Sequence, residues 1–600
     1  MLSHFQFAAL VFAGTAAALA YFILAAPAPD SPLALVYQWS VLGYYGALLA
    51  LAAVITLPLA LHGATRWLLR VAAWVWLSYL AVDMATFNLY QFHVNWVLVE
   101  MFLLDFRGLG IPGAILAAFL GIGLLLAALV FLFHWLTTKI PFRAGLISLA
   151  ALAVSGSLAL ATHVVISIWG HYYAREEITR YNPYFPVYWP ITSHPHGPRI
   201  SAAWPGLFPA TLGEASTLNT RQQGIIRYPA KPLTCTPANP PSILLIAIES
   251  WQASSLTAEV MPNLWKFSNT ATRFDHHVSS GSSTVPGLFG LLYGLHPSYY
   301  ELMKTSPNSH PSAFTETLSQ LGYRSHVFTS GDLDRFALRK LFFSRVAEPD
   351  YVQTDNDTTL VERYLASLAA QKQTGKPQPR FDFLFLTASH SPYDHPPEYA
   401  RFQPTPTVKG GYAIDKMTDA KPYKNQYYNS LSYIDALLGK LIADPEWQRR
   451  LANTWVVITG DHAEEFNENG IGHWGHGSNF SRWQTQTPLV VYAPGKPPAT
   501  ESRLTLHQDV VPTLMQEALG CQNPVEDYAN GSHLFPPPEH RGTVLSSYFA
   551  SAYLVSGTII DRTTGKKYAW DDIKVARQLD DPQAIRRLID EERRFLGKLE

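Results

Sequence analysis

Cysteine is nearly absent: there are two in 600 residues, Cys235 and Cys521. Neither lies in a cluster with metal-ligand spacing, so a cysteine-based metal centre is excluded. Charge is scarce and balanced. Only 15% of residues are Asp, Glu, Lys or Arg, and the formal net charge is −1. Without a basic excess there is no electrostatic footprint for a nucleic-acid partner. The chain has apolar length instead. Its mean hydropathy is +0.03, high for a soluble protein, and the excess is concentrated in the first 170 residues. At 600 residues it is also too long for one ordinary domain.

Five apolar stretches run roughly over 5–26, 38–61, 67–90, 111–135 and 144–168. Each is near the ~20 residues needed to cross a hydrocarbon core. A cleaved signal peptide would explain only the first. Orientation follows from Lys and Arg. Arg66 and Arg70 mark one connection and Lys139 and Arg143 another, whereas 27–37 has no basic residue and 91–110 has only Arg107. The expectation is a multi-pass anchor over 1–170 in a bacterial inner membrane, with a cytoplasmic N-terminus and a periplasmic remainder. Asp83 falls inside the third stretch, where an ionisable group is costly and faces the bundle. A helix–helix hydrogen bond and a regulatory contact are both open there.

Residues 171–240 read as a periplasmic linker rich in Pro, Tyr and Trp. Tyr181-Asn182-Pro183-Tyr184-Phe185-Pro186 cannot continue a helix. Two readings remain. The segment is a tether, or Arg175, Arg180, Arg199, Arg221 and Arg227 form a surface for anionic lipid headgroups. Both cysteines lie in the exported part, where an oxidising compartment permits a bridge. Two buried thiols are the alternative.

From 241 to 600 short apolar runs alternate with amphipathic segments, which argues for an α/β domain with a mostly parallel central sheet. Candidate strands are 242–248, 325–329, 381–386, 455–458 and 489–492. Candidate helices are 311–321, 359–370, 426–442 and 509–519. A hairpin turning near Thr564-Gly565 and a helix over 582–599 are expected to finish the domain. Three of the strands end in chemistry: Glu249 after the first, Ser389-His390-Ser391 after the third, and Asp461-His462 after the fourth. Ligands bind at that edge of open α/β sheets. A lone Asp-His pair reads more simply as a satisfied hydrogen bond; three such strand ends read as a constellation.

A hydroxyl-rich loop, Ser279-Ser280-Gly281-Ser282-Ser283-Thr284, precedes an apolar helical segment. Hydroxyls there can simply cap the helix. They can also face an anion held at its N-terminus, with one hydroxyl beside a divalent cation acting as nucleophile.

Glu249, Thr284 and Asp461-His462 resemble the pattern of the alkaline phosphatase/sulfatase superfamily. In that superfamily a strand-end acid, a hydroxyl or thiol nucleophile and a later Asp-His hold divalent metal. The five spans and the Thr resemble its membrane-anchored branch, the lipoteichoic acid synthases and phosphoethanolamine transferases. His390 and His476-Gly477 resemble that branch's substrate-facing histidines. Thr284-Val285-Pro286-Gly287-Leu288 parallels the sulfatase Cys-x-Pro-x-Arg signature with two departures. Thr cannot become formylglycine, and Leu288 replaces Arg, which argues against sulfate-ester hydrolysis. Gly287–Gly294, Gly460–Gly470 and Trp474–Phe480 narrow the resemblance to YejM/PbgA-like inner-membrane proteins of Gram-negative bacteria.

The resemblance implies a protein that senses lipid A or lipopolysaccharide and regulates its synthesis. Its implied partners are anionic lipid (lipid A, or cardiolipin) and a membrane adaptor of the protease system controlling that synthesis. The same residues fit a second role, a metal-dependent phosphatase or phospho-group transferase on envelope lipids. There Glu249, Thr284, Asp461 and His462 would hold Mg²⁺, Mn²⁺ or Zn²⁺, Thr284 would attack phosphorus, and His390 and His476 would hold phosphate oxygens.

Overall fold

The structure is a computed structural model. It describes all residues except 1, 63–64, 91, 96–97, 100–101, 104–112, 140–141, 174, 194–195, 211–224, 305–309, 335–336, 373–377, 408–413, 415, 540–541, 549, 563, 579–581 and 598–600. Two compact units result. Met1–Thr220 with Arg562–Lys566 form one; Arg221–Asp561 with Lys567–Glu600 form the other.

The first unit is built on helices α1 (Leu2–Ala25), α2 (Pro32–Ile55), α3 (Arg66–Tyr90), α4 (Gly113–Thr137) and α5 (Phe142–Tyr172). All five are long and apolar enough to cross a membrane. Helix α2 starts where Ser31 accepts the Ala34 N–H at 3.1 Å and Pro32 takes the first helical position. Helix α4 leaves Leu120, Leu124, Leu125 and Phe131 exposed, which suits a lipid solvent rather than water. Asp83 is fully buried in α3. Its partners come from the following loop, not from a neighbouring helix: His93 Nδ1 lies 2.7 Å from Oδ2, and the Val94 N–H also donates to the carboxylate.

The Pro- and Tyr-rich segment after α5 packs within this unit. Ile178, Tyr181, Phe185, Ile200 and Phe208 are buried in a cluster with Tyr37, Tyr45 and Trp169. Tyr37 OH reaches Asn182 Oδ1 at 2.8 Å and Tyr188 OH at 2.9 Å. His163 bridges Ser40 Oγ at 3.1 Å and Tyr188 OH at 2.8 Å. Val187, Trp189, Trp204 and Leu207 stay more than half exposed.

The second unit holds a nine-stranded mixed sheet. Its strands are β1 (Ser242–Ile248), β2 (Thr272–Val278), β3 (Arg324–Thr329), β4 (Tyr351–Gln353), β5 (Arg380–Leu386), β6 (Thr454–Gly460), β7 (Gln486–Tyr492), β8 (Ala499–Glu501) and β9 (Thr505–Leu506). The order is β8-β2-β7-β6-β1-β5-β3-β4, with β9 beside β2. Strand β7 runs antiparallel to both neighbours, and the other pairs are parallel. Strand β1 is buried from Ile243 onward and β5 along its whole length. Burial along both strands means that both sheet faces are covered, even where β5 carries Arg380 and Asp382, which pair with each other at 2.9 Å.

Register sets the site. Ile248 pairs with Leu386 on one side and Gly460 on the other. Strands β1, β5 and β6 end level, so Glu249, Thr387 and Asp461 leave the sheet together. Helix α6 (Thr284–Tyr293) runs from the hydroxyl-rich loop into the core, with every residue from Val285 to Tyr293 buried. Gly294, at φ +69°, stops it by donating its N–H to Gly290 O at 2.9 Å.

Three details differ from the sequence reading. The helix expected over 582–599 spans Pro582–Arg593, and Leu596–Gly597 after it is a short strand. The segment 509–519 divides into a short α-helix, Val510–Thr513, and a π-helical turn, Leu514–Ala518. The expected C-terminal hairpin is a four-stranded antiparallel sheet: β10 (Gly542–Ser546), β11 (Ser551–Val555), β12 (Thr558–Asp561) and β13 (Lys567–Ala569). The expected turn near Thr564-Gly565 joins β12 to β13, with Gly565 at φ +76°, and a further tight turn at Ser556-Gly557, where both residues have positive φ, joins β11 to β12. Cys235 and Cys521 form a disulfide across a sequence separation of 286, tying the segment before β1 to the domain's far end.

Candidate active site

Thr284 is the first residue of α6, and its hydroxyl meets the strand-end residues. Thr284 Oγ1 donates to Glu249 Oε1 at 3.3 Å and lies 3.4 Å from His462 Nε2. Asp461 Oδ1 accepts two backbone N–H groups, from Ser250 at 2.9 Å and His462 at 2.8 Å. Asp461 Oδ2 is buried without a hydrogen-bond partner, 3.4 Å from His462 Nε2. Ring centroids of His462 and His476 are 4.3 Å apart, and those of His390 and His476 are 5.4 Å apart. Glu249, Thr284, His390, Asp461, His462 and His476, expected from sequence, thus gather in one place.

The capping alternative for the hydroxyls can be checked directly. Ser283 occupies the N-cap position but makes no side-chain capping bond, and the Oγ atoms of Ser280, Ser282 and Ser283 are buried without partners. The first N–H groups of α6 are left for an anion.

Electrostatics mark the same place. Burial, then the neighbouring Asp461, holds the Glu249 carboxyl well above the usual carboxylate range. Burial pushes Asp461 up to about 7. Burial, then His476, holds His462 well below the usual imidazole range. Two facing acids and an imidazole that resists protonation lack a positive charge. An orphaned Asp461 Oδ2 among O and N donors fits a divalent cation there.

Residues 241–520 match the family described as Sulfatase, and residues 2–235 one described as a domain of unknown function, DUF3413. Residues 241–520 thus form a domain that matches the Sulfatase family. An uncharacterized protein of Haemophilus influenzae is 28% identical over 383 residues, 63% of this chain and 57% of that protein. The inner membrane protein YejM of Salmonella typhi is 25% identical over 361 residues, 59% of this chain and 56% of that protein. The chain therefore spans little more than half the length of either relative. Among solved structures, the lipoteichoic acid synthase LtaP of Listeria monocytogenes aligns with a TM-score of 0.46 at 16% identity, covering 64% of this chain and 96% of that one.

Within this sulfatase-family site, Leu288 stands where the formylglycine signature has Arg. It is fully buried in the main core cluster, facing packing rather than substrate. Other residues that shape the site carried no assigned role in the sequence. Asp357 opens helix α7 (Asp357–Lys372) and accepts the N–H groups of Thr387 and Ala388, each at 3.0 Å, fixing the start of the His390 loop. Glu464 is buried between Tyr393 OH and His476 Nδ1, each at 2.6 Å. Burial raises its pKa, but His476 outweighs burial and holds the carboxyl below its ordinary value. Its sequence signal was an acidic pair, Glu464-Glu465, one residue after an Asp-His.

The arginines expected to hold lipid have the following surroundings. Arg175 pairs with Glu177 at 2.6 Å and lies over the Trp169 ring. Arg180 pairs with Asp30 at 3.0 Å and lies over Tyr181. Arg199 is exposed in the helical unit, and Arg227 is exposed in the other unit. Arg221 lies outside the described residues.

Proposed function

We propose that this inner-membrane sulfatase-family protein carries a periplasmic, metal-dependent site that cleaves or transfers phosphate esters of envelope lipids, with Thr284 as nucleophile. The carrying observation is Thr284 Oγ1 between Glu249 at 3.3 Å and His462 at 3.4 Å, at the open N-terminus of α6. As the Thr284 oxygen bonds to phosphorus, Glu249 accepts the hydroxyl proton. The helix N-terminus and the histidines His390 and His476 face the phosphoryl oxygens, where fixed donors stabilise developing charge. The ester P–O bond breaks, and the leaving oxygen takes a proton from an imidazole. Water, or an acceptor hydroxyl, then releases the phospho-group from Thr284. A divalent cation (Mg²⁺, Mn²⁺ or Zn²⁺) held by Glu249, Thr284, Asp461 and His462 supplies the positive charge these acids lack and lowers the hydroxyl pKa.

The test is phosphomonoester hydrolysis by the purified full chain before and after chelation. EDTA is expected to remove activity, and one of the three ions to restore it, with about one ion bound per chain after dialysis. Activity indifferent to EDTA would sink the metal assignment.

A second reading, sensing of lipid A with control of its synthesis through a membrane adaptor, is supported by exposed apolar side chains. After α5 the chain exposes Val187, Trp189, Trp204 and Leu207 together with Arg199. Aromatic and apolar side chains with a cation suit the headgroup layer of anionic lipid. Arg199→Glu is expected to weaken binding of the full chain to lipid A-containing vesicles about five- to tenfold, from ~1 kcal/mol per basic residue at such a surface. Unchanged binding would remove this surface from the reading.

A further inference from the structure

The chemistry above gives no role to Glu464, whose side chain is only 1% exposed. It accepts Tyr393 OH on Oε1 and His476 Nδ1 on Oε2, both at 2.6 Å. These partners sit on different loops. Tyr393 follows His390 in the loop after β5 and has φ +62°, a left-handed backbone that a tyrosine adopts only when held. His476 lies between Gly475 and Gly477, at φ +74° and +81°. Neither chain neighbour has a side chain to brace the imidazole; the His462 and His390 rings pack against it, and the Glu464 bond is the hydrogen bond that directs it. That bond engages Nδ1 and leaves Nε2 as the nitrogen for substrate.

A ligand role for Glu464 fits the distances less well. His462, Glu464 and His476 bring one possible ligand atom each within 4.8 Å of one another. However, Oε2 and Nδ1 are 2.6 Å apart. Two donors bonded to one tetrahedral cation at ~2.0–2.1 Å stand about 3.3 Å apart; the shorter spacing is a hydrogen bond.

We propose that Glu464 is a positioning residue: it fixes the tautomer and direction of His476 so that Nε2 faces the phosphoryl group, and through Tyr393 it ties the two histidine loops together. The role rests on the Thr284 phosphotransfer reading. It follows the pattern in which a carboxylate orients a functional imidazole through its second nitrogen.

The test compares the full chain, loaded with Mn²⁺ and assayed on p-nitrophenyl phosphate, as wild type, Glu464→Gln, Glu464→Asp, Tyr393→Phe and Thr284→Ala. Glu464→Gln is expected to lower kcat about 10–100-fold, with KM and bound Mn²⁺ unchanged and partial recovery in Glu464→Asp. Tyr393→Phe, which keeps the carboxylate, is expected to show a smaller loss confined to kcat; it decides the matter if Glu464→Gln does not fold. Wild-type kcat in Glu464→Gln, or loss of bound Mn²⁺, overturns the proposal. Wild type no faster than Thr284→Ala overturns the phosphotransfer reading instead. A measurement without turnover then judges Glu464: histidine C2-hydrogen exchange, read per residue by mass spectrometry in metal-free protein. Glu464→Gln must change the profile of His476 and leave that of His326, which pairs with Asp382 at 2.9 Å; an unchanged His476 profile overturns the assignment.

Discussion

Thr284→Ala is expected to reduce phosphate-ester turnover by at least about 10³-fold, because it removes the nucleophile and not merely a contact. The fold has little stake in that hydroxyl. Thr284 is half-buried at the start of α6, and the nine residues that follow are buried and hold the helix in the core. Its hydrogen bonds, at 3.3 and 3.4 Å, go to Glu249 and His462, both residues of the site itself. Thr284→Ser keeps the oxygen and is expected to retain substantial activity, with a phosphorylated residue 284 recoverable from the acid-quenched enzyme. Glu249 and Asp461 lose a cation ligand in the alanine variant, so bound metal is expected to fall as well. Full turnover in Thr284→Ala would leave a family-shaped site without its chemistry. The lipid-sensing reading, which needs only the surface around Trp189 and Trp204, would then stand alone.

Much of this arrangement was legible before any coordinates. Buried parallel strands announce themselves as unbroken apolar runs, so Ile243–Ile248 and Trp455–Ile458 mark the sheet, and the acids that follow, Glu249 directly and Asp461 after Thr459-Gly460, mark its edge. Register then follows from topology, because strands ending level deliver Glu249 and Asp461 side by side. The second tier was not legible. Asp357 acts from the start of a helix on backbone groups 30 and 31 residues away, and a single acid before an amphipathic run has no signature for that. Glu464 sits inside a recognisable motif, but its partners are a tyrosine 71 residues earlier and a histidine 12 later, joined only by the fold. For the arginines, the spacing in 171–231 suggested an anion-binding surface, and the structure adds that Arg175 pairs with Glu177 and Arg180 with Asp30. Charge read along a chain does not show which acid lies opposite.

Gly287→Ala is the steric counterpart of the Thr284 experiment and is expected to cost about 100-fold in activity, from a displacement near 1 Å at the reacting group. A Cβ at Gly287 would stand 2.1 Å from Asp461 O, 2.9 Å from Asp461 C and 3.2 Å from Ser279 Oγ. The obstacle is backbone, at the end of a buried strand, and it cannot swing aside. Ser279 Oγ donates to that same Asp461 oxygen, and His507 Nδ1 lies 3.2 Å from Gly287 O, so helix and strand end are clamped from two sides. Alanine favours a helix over glycine by up to about 1 kcal/mol, while overpacking a core costs about 1–3 kcal/mol. The balance leaves about 0–2 kcal/mol of destabilisation, so the melting temperature is expected to fall by a few degrees. The catalytic effect has no such offset, because either α6 moves, carrying Thr284, or Asp461 moves, carrying its carboxylate and His462. A variant that melts near the wild-type temperature yet loses activity and bound metal together would show that the close approach at Gly287 sets the distance between nucleophile and ligands. A variant with unchanged turnover would show that this distance has slack, and the glycine in Thr284-Val285-Pro286-Gly287 would then serve packing alone.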